Sequence, residues 1–287
     1  MNVRYRSIWS SLMTTPFRQS YADVGGVRTR FVEAGETGAP VLMMLHGTGA
    51  NWEIFSSNLD AHAKHFHCFA LDLLGHGFTE KPPGAYEIKD YLSHLLNFMD
   101  IQRVPSASFI GTSLGSWLSV KLAAQLPDRV DRLVLLSQGG LAADLPTMQN
   151  ISTVRSRAVD DPSWENIEQV LASVIFKRDN VLPDMIATRQ AIYSQSSMKS
   201  GMQSILALQE PELRIRNLVT QEECRSIDKP TLVIASSDDT DVFVKSAYEI
   251  AKLIPDARLV EMKGVGHMPQ WEDPEVFNRL SIDFLRS

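Results

Sequence analysis

The sequence predicts an α/β fold: a mostly parallel central sheet flanked by helices, with a helical cap inserted late in the chain. Three observations carry that reading. Short, wholly apolar runs recur along the first half, which is how strands buried on both faces read. Segments with helical spacing separate them, as crossover connections require. From about Leu141 to Asp228 the buried-strand rhythm stops, and it resumes at Pro230. The predicted organisation is a core over residues 20–140 and 229–287, with a helical cap, or lid, over 141–228.

The elements follow in order. "YADVGGVRTRFVEAG" reads as a hairpin turning at Gly25 and Gly26. "PVLMMLHG" and "FHCFALDLLGHG" are apolar runs closed by glycine, each a buried strand. "YEIKDYLSHLLNFMDI" places Tyr91, Leu95, Phe98 and Met99 at helical spacing. "SASFIG" is a third buried strand, "SLGSWLSVKLAAQLP" a helix stopped before Pro127, and "DRLVLLSQGG" a fourth strand. In the insertion, "PSWENIEQVLASVIF" and "LPDMIATRQAIYSQ" open with a proline and early acids, a helix-start signal, and "MKSGMQSILALQ" is a third helix. "PTLVIASSDD" restores the strand rhythm. A helix over Val244–Leu253, a strand "ARLVEM" and a last helix over Pro274–Leu285 complete the chain.

Composition narrows the function classes. The 287 residues are 44% hydrophobic and carry a net charge of −6, with a sequence pI of about 5.7. No run of Lys or Arg exceeds the short "RYR" near the N-terminus, so neither nucleic acid nor an anionic membrane is an expected partner. No stretch is long and apolar enough to span a bilayer. The N-terminal segment lacks the apolar core of a secretion signal. Cys68 and Cys224 have no C-x-x-C spacing, and two thiols in a chain of this size fit a reducing compartment. The expectation is a cytoplasmic protein, possible as a homodimer, acting on a small molecule.

"FIGTSLGSW" sets Ser113 midway between Gly111 and Gly115. G-x-S-x-G alone is weak evidence, since chance supplies it in roughly one chain of this length in ten at ordinary glycine usage. Its context strengthens it. An apolar strand runs into Ser113 and a helix begins directly after it. A serine on such a turn is forced toward positive φ, and its hydroxyl is lifted above the sheet. The backbone N–H of Leu114, at the helix start, is then aimed where an oxyanion would form. "LHGTG" supplies a second donor, the N–H of Thr48.

A serine hydroxyl needs a base. His267 follows a predicted strand and precedes the last helix, so it belongs at the edge of the sheet that holds Ser113. The base needs a carboxylate to fix its tautomer. Asp238, Asp239 and Asp241 end a buried strand, and one of them should face His267. His62, His65 and His67 lack a carboxylate at ligand spacing, so no metal is expected. His76 reads as a turn stabiliser and His94 as an exposed helix residue. No glycine fingerprint for a dinucleotide appears, and no cofactor is expected.

The order Ser113, aspartate, His267 is that of the α/β-hydrolases, and the chain resembles that superfamily from about Tyr21 to Leu285. "LHGTG", "DLLGHGFTEKP", "GTSLG", "PDRVDRLVLLS" and "GHMPQWEDPEVFNRLSIDFL" stand where the superfamily has them. The resemblance implies an α/β-hydrolase fold with Ser113 as nucleophile, Asp239 as acid, His267 as base, and Thr48 and Leu114 as oxyanion donors. A serine at the elbow distinguishes the chain from epoxide hydrolases and haloalkane dehalogenases, which carry aspartate there.

Within the superfamily the sequence is most similar to the meta-cleavage-product hydrolases, which cleave a C–C bond in 2-hydroxy-6-oxo-dienoates made by aromatic ring fission. "QWEDPEVFNRL" resembles their C-terminal signature. "ATRQAIYSQ" resembles the cap segment that places an arginine, here Arg189, against the substrate's carboxylate. The implied substrate-binding set is Gly47, Arg189, Thr112, Met268 and Trp271. Three positions depart from the family: Thr112 replaces an asparagine, Met268 a tryptophan, and Ala50 follows "GTG" where a proline is usual. Trp164, Ile175, Phe176, Tyr193 and Met198 are candidates to line the pocket. The leading expectation is a C–C bond hydrolase acting on an anionic carboxylate. A carboxylesterase or lactonase using the same triad is the second, and a ligand receptor on the hydrolase fold the third.

Overall fold

The computed structural model describes residues 7–287, so the basic "RYR" at positions 4–6 lies outside the described residues. Eight strands form one sheet: β1 Phe17–Val24, β2 Val27–Ala34, β3 Val41–Leu45, β4 His67–Leu71, β5 Ala107–Thr112, β6 Val130–Leu136, β7 Thr231–Ser236 and β8 Ala257–Met262. Their order is β1-β2-β4-β3-β5-β6-β7-β8. β1 and β2 pair antiparallel with each other, as does β2 with β4. All other neighbours are parallel. The apolar runs behave as expected, with every residue of β4, β5 and β7 buried.

Helices cover both faces. The core contributes α1 Ser56–Ala63, α2 Ile88–Ile101 and α3 Leu114–Gln125 before the insertion. α2 starts on a reciprocal cap between Glu87 and Asp90, and its Tyr91, Leu95, Phe98 and Met99 are buried as their spacing predicts. Between β6 and β7 the regular elements are all helical: α4 Leu145–Asp160, α5 Trp164–Ala172, α6 Pro183–Tyr193, α7 Met198–Ile205, α8 Pro211–Asn217 and α9 Gln221–Ser226. After β7 come α10 Asp241–Leu253, the short α11 Pro269–Glu272 and α12 Pro274–Leu285.

Several elements depart from expectation, among them α8, α9 and the short α11, which the sequence reading did not anticipate. The first strand begins at Phe17, before the anticipated hairpin start at Tyr21, and pairs over its whole length with β2. The insertion opens with α4, sixteen residues long, which the sequence reading left without an element. Asp144 caps α4 by accepting from the Thr147 N–H at 3.0 Å.

Parallel strands put the loops after β3, β5, β6, β7 and β8 at one edge of the sheet. The strand order reverses direction at β3, with β4 on one side and β5 on the other. Crevices form at such a switch point, outside the carboxyl ends of the strands.

Candidate active site

Ser113 sits at that switch point with φ 55° and ψ −107°, the left-handed conformation its position demands. The turn closes only because its flanking residues lack side chains. A Cβ on Gly111 would lie 2.5 Å from the Gly115 carbonyl, and one on Gly115 would lie 2.1 Å from Leu45 O. α3 therefore packs directly on β3. The Ser116 hydroxyl ties the turn down through Gly111 O at 2.6 Å and Leu136 O at 2.8 Å. Leu114 is the first residue of α3, so its N–H has no intrahelical acceptor.

The loop after β3 approaches from the other side. A Cβ on Gly47 would sit 3.2 Å from the Ser113 Cβ. His46 shapes this loop. The Leu73 N–H donates to its Nε2 at 3.1 Å, so Nδ1 carries the proton and donates to Gly47 O at 2.8 Å. Complete burial lowers the His46 pKa to about 3, which keeps the ring neutral.

His267 enters on the loop after β8. Its N–H donates to Val174 O at 3.1 Å, and the Ser137 hydroxyl donates to its carbonyl at 2.9 Å. The ring places Nδ1 3.0 Å from each carboxylate oxygen of Asp239. Of the three candidate acids, Asp239 is the one at the histidine. Asp238 is exposed and accepts from the Gly264 N–H, and Asp241 is exposed at the start of α10. Phe243 lies edge-on to the imidazole, its ring centroid 4.4 Å away. With Nδ1 held by Asp239, Nε2 is left as the basic nitrogen.

Ser113, Asp239 and His267 line one cavity with Gly47, Thr48, Thr112, Arg189 and Met268, and its atom-free space, open mouth included, is about 760 Å³. The Thr112 hydroxyl is buried without a hydrogen-bond partner among the described residues.

Arg189 is buried on α6 rather than solvated near Asp184. Its Nε donates to Asn51 Oδ1 at 3.0 Å and its Nη1 to Gly49 O at 2.7 Å. Asn51 in turn donates to Glu53. Glu53 and Asp72 are already paired with the buried Arg30, at 2.9 and 2.6 Å. Arg189 is thus aimed by a polar chain running back into the core without meeting an acid of its own.

Several expected residues stand elsewhere. Trp271 is fully buried behind the site, outside the cavity lining, with its indole N–H donating to Asn180 O at 2.9 Å. None of the five candidate aromatic and aliphatic cap residues lines this cavity. Trp164 and Phe176 are exposed, while Ile175, Tyr193 and Met198 are buried in packing, with the Tyr193 hydroxyl donating to Gly49 O. α5 contributes Val170 and Leu171 to that wall, and α4 contributes Thr147, Asn150, Ile151 and Arg155. The α4 positions recur at three- and four-residue spacing and mark one face of a helix. The face is mostly polar, so hydrophobic periodicity passes over it.

Arg155 and Glu272 carry weight that sequence reasoning did not assign. Glu272 accepts from the Gly266 N–H at 2.8 Å and the Phe176 N–H at 2.9 Å. It couples the histidine loop to the insertion.

The other histidines also have identifiable places. His94 is buried rather than exposed, with Nε2 2.8 Å from the Thr29 hydroxyl. His62 is buried between Asn58 O and the Ser281 hydroxyl, His67 meets Glu33, and His65 is exposed. These three do not converge, and no group of three or more His, Cys, Asp or Glu side chains among the described residues could hold a metal. Cys68 and Cys224 are buried free thiols. No described helix is long and apolar enough to cross a membrane.

The model of the alpha/beta hydrolase fold family matches residues 40–274. The chain belongs to that family. It is a hydrolase whose relatives include C–C bond hydrolases. A 2-hydroxymuconate semialdehyde hydrolase from a Pseudomonas sp. is 30% identical, over 91% of this chain and 91% of its own. A 2-hydroxy-6-oxo-2,4-heptadienoate hydrolase from Pseudomonas putida is 28% identical, over 91% and 94% respectively. Among solved structures, a meta-cleavage product hydrolase from Pseudomonas fluorescens superposes with a TM-score of 0.82 at 25% identity, over 93% of this hydrolase and 97% of the other chain.

Proposed function

We propose that this hydrolase cleaves a C–C bond in a 2-hydroxy-6-oxo-dienoate produced by ring fission in aromatic degradation. The observation that carries the reading is Arg189: a buried guanidinium without an acid, lining the same cavity as Ser113 and His267. A simple ester gives such a group nothing to bind, whereas a dienoate brings a carboxylate that matches its planar fork. The names of the similar hydrolases point the same way.

In this reading the helical segment 141–228 caps the site and Arg189 anchors the substrate carboxylate. His267, oriented by Asp239, takes the proton from the Ser113 hydroxyl as it adds to the distal ketone. The N–H groups of Thr48 and Leu114 receive the negative charge that develops on the ketone oxygen. Collapse proceeds from the 2-oxo tautomer, in which a proton has moved from the 2-hydroxyl to C5: the C5–C6 bond breaks, its electron pair runs through the C3–C4 double bond onto the 2-oxo oxygen, and that oxygen takes up a proton to leave a 2-hydroxydienoate. The acyl group left on Ser113 is released by water, with His267 as base.

The test follows the visible absorbance of the dienolate as purified protein is mixed with a 2-hydroxy-6-oxo-dienoate. Rapid decay is expected, slower by roughly 10²-fold for Arg189→Ala and by roughly 10⁴–10⁶-fold for Ser113→Ala. No decay from protein that still hydrolyses p-nitrophenyl acetate would sink the C–C reading and assign an esterase or lactonase.

A further inference from the structure

Two guanidinium groups face the cavity, and neither has an acid. Arg155 is 7% exposed and Arg189 5%. Arg155 Nε donates to Thr48 O at 3.1 Å, and Arg189 Nη1 to Gly49 O at 2.7 Å. The two heads therefore rest on successive carbonyls of one turn. The second Nη of each has no protein partner among the described residues. Every nearby carboxylate is committed: Glu53 and Asp72 to Arg30, and Asp239 to His267.

Arginine does not shed its proton in a protein. Two positive charges therefore stay beside the cavity without an ion-pair partner of their own. Burial lowers the Arg155 pKa, and the charge on Arg189 adds to that. An uncompensated buried charge is destabilising unless a partner supplies the opposite sign. A monocarboxylate would neutralise one of these cations and leave the other bare.

We propose that Arg155 and Arg189 form a two-cation subsite and that the substrate carries two carboxylates. This rests on the role given to Arg189 above and narrows the substrate class. Each head offers its free edge to one carboxylate, and Arg155 is the residue that selects a diacid over a monoacid.

Binding is measured by calorimetry on Ser113→Ala protein, with straight-chain dicarboxylates from succinate to azelate and the monocarboxylates of matching length. At least one diacid should bind about tenfold more tightly than its partner, the worth of one added charge pair. Arg155→Met should erase that preference. Diacids no tighter than monoacids, or a preference that survives Arg155→Met, would overturn the proposal. Melting temperature is the control for folding. Removal of an unpaired buried cation raises Tm in the absence of ligand, and a lower Tm would assign Arg155 to the scaffold and count against the subsite.

Turnover separates this inference from the one beneath it. Wild type should favour 2-hydroxy-6-oxonona-2,4-dienedioate over 2-hydroxy-6-oxonona-2,4-dienoate by about tenfold in kcat/KM. Equal turnover of both would remove the diacid preference and keep the C–C reading. Tight diacid binding without turnover of either would do the reverse.

Discussion

Ser113 is usable only because Gly115 lets α3 approach β3 without a side chain between them. The gap is decided by backbone, since the atom that an added Cβ would strike, at 2.1 Å, is Leu45 O. A strand carbonyl in a parallel ladder cannot swing aside as a flexible side chain can. Gly115→Ala must therefore push the start of α3 off the sheet and take the Ser113 hydroxyl and the Leu114 N–H with it. The expected cost is about 1–3 kcal/mol of stability and roughly 10²-fold in kcat, because displacement by about 1 Å disrupts reacting geometry. Urea denaturation and p-nitrophenyl acetate turnover check the two figures independently. Wild-type kcat in a folded Gly115→Ala protein would mean that the elbow tolerates movement and that the tight packing is incidental.

At the scale of elements, the histidine loop and the insertion behave as one piece because Glu272 joins them. One of its oxygens takes the Gly266 N–H of the histidine loop, and the other takes the Phe176 and Lys177 N–H groups of the insertion. Glu272→Ala leaves the buried Gly266 donor without a partner, at about 1–3 kcal/mol. It also frees the segment that carries His267, so kcat should fall by roughly 10–100-fold, with Glu272→Gln, which keeps one acceptor, less affected. Equal kcat for wild type and Glu272→Ala would show that Val174 and Ser137 suffice to hold the loop. How well an element was legible in the sequence follows from the type of signal it carries. β3, β5 and β7 announce themselves as apolar runs; Ser113 and Asp239 follow from where β5 and β7 end, and His267 from the loop between β8 and the last helices. α4 carries its function on a face of Thr147, Asn150 and Arg155, which a hydrophobicity pattern reads as solvent-facing. Trp271 is the converse case: a large aromatic four residues after His267 reads as pocket lining, yet its indole N–H has a backbone partner that draws it into the core.

The whole molecule carries an acid sensitivity built from its buried histidines. His46, His62, His76 and His94 are all shut in the interior, and burial is the leading cause that lowers each pKa, to about 3 for His46, about 4 for His62 and His94, and well below the usual value for His76. In the unfolded chain each returns to about 6.5. Between those values the unfolded state binds more protons than the folded one, so stability must fall as pH falls. The contribution is complete above pH 6.5 or so and is lost progressively toward the folded values. Glu53 and Glu272 oppose this, since burial raises both carboxyls and the folded state gains protons there first. Two groups working against four leave the histidines in control. Each histidine costs about 1.4 kcal/mol per pH unit inside its window, a large share of the 5–15 kcal/mol that typically holds a domain together. The urea midpoint should therefore drop steeply between pH 7.5 and pH 5.5. His62→Gln and His94→Gln should each make that decline shallower by close to one proton's worth. A midpoint that holds steady or rises over this interval would mean that the interior histidines already carry protons in the folded state, and that their neighbours, rather than burial, set their charge.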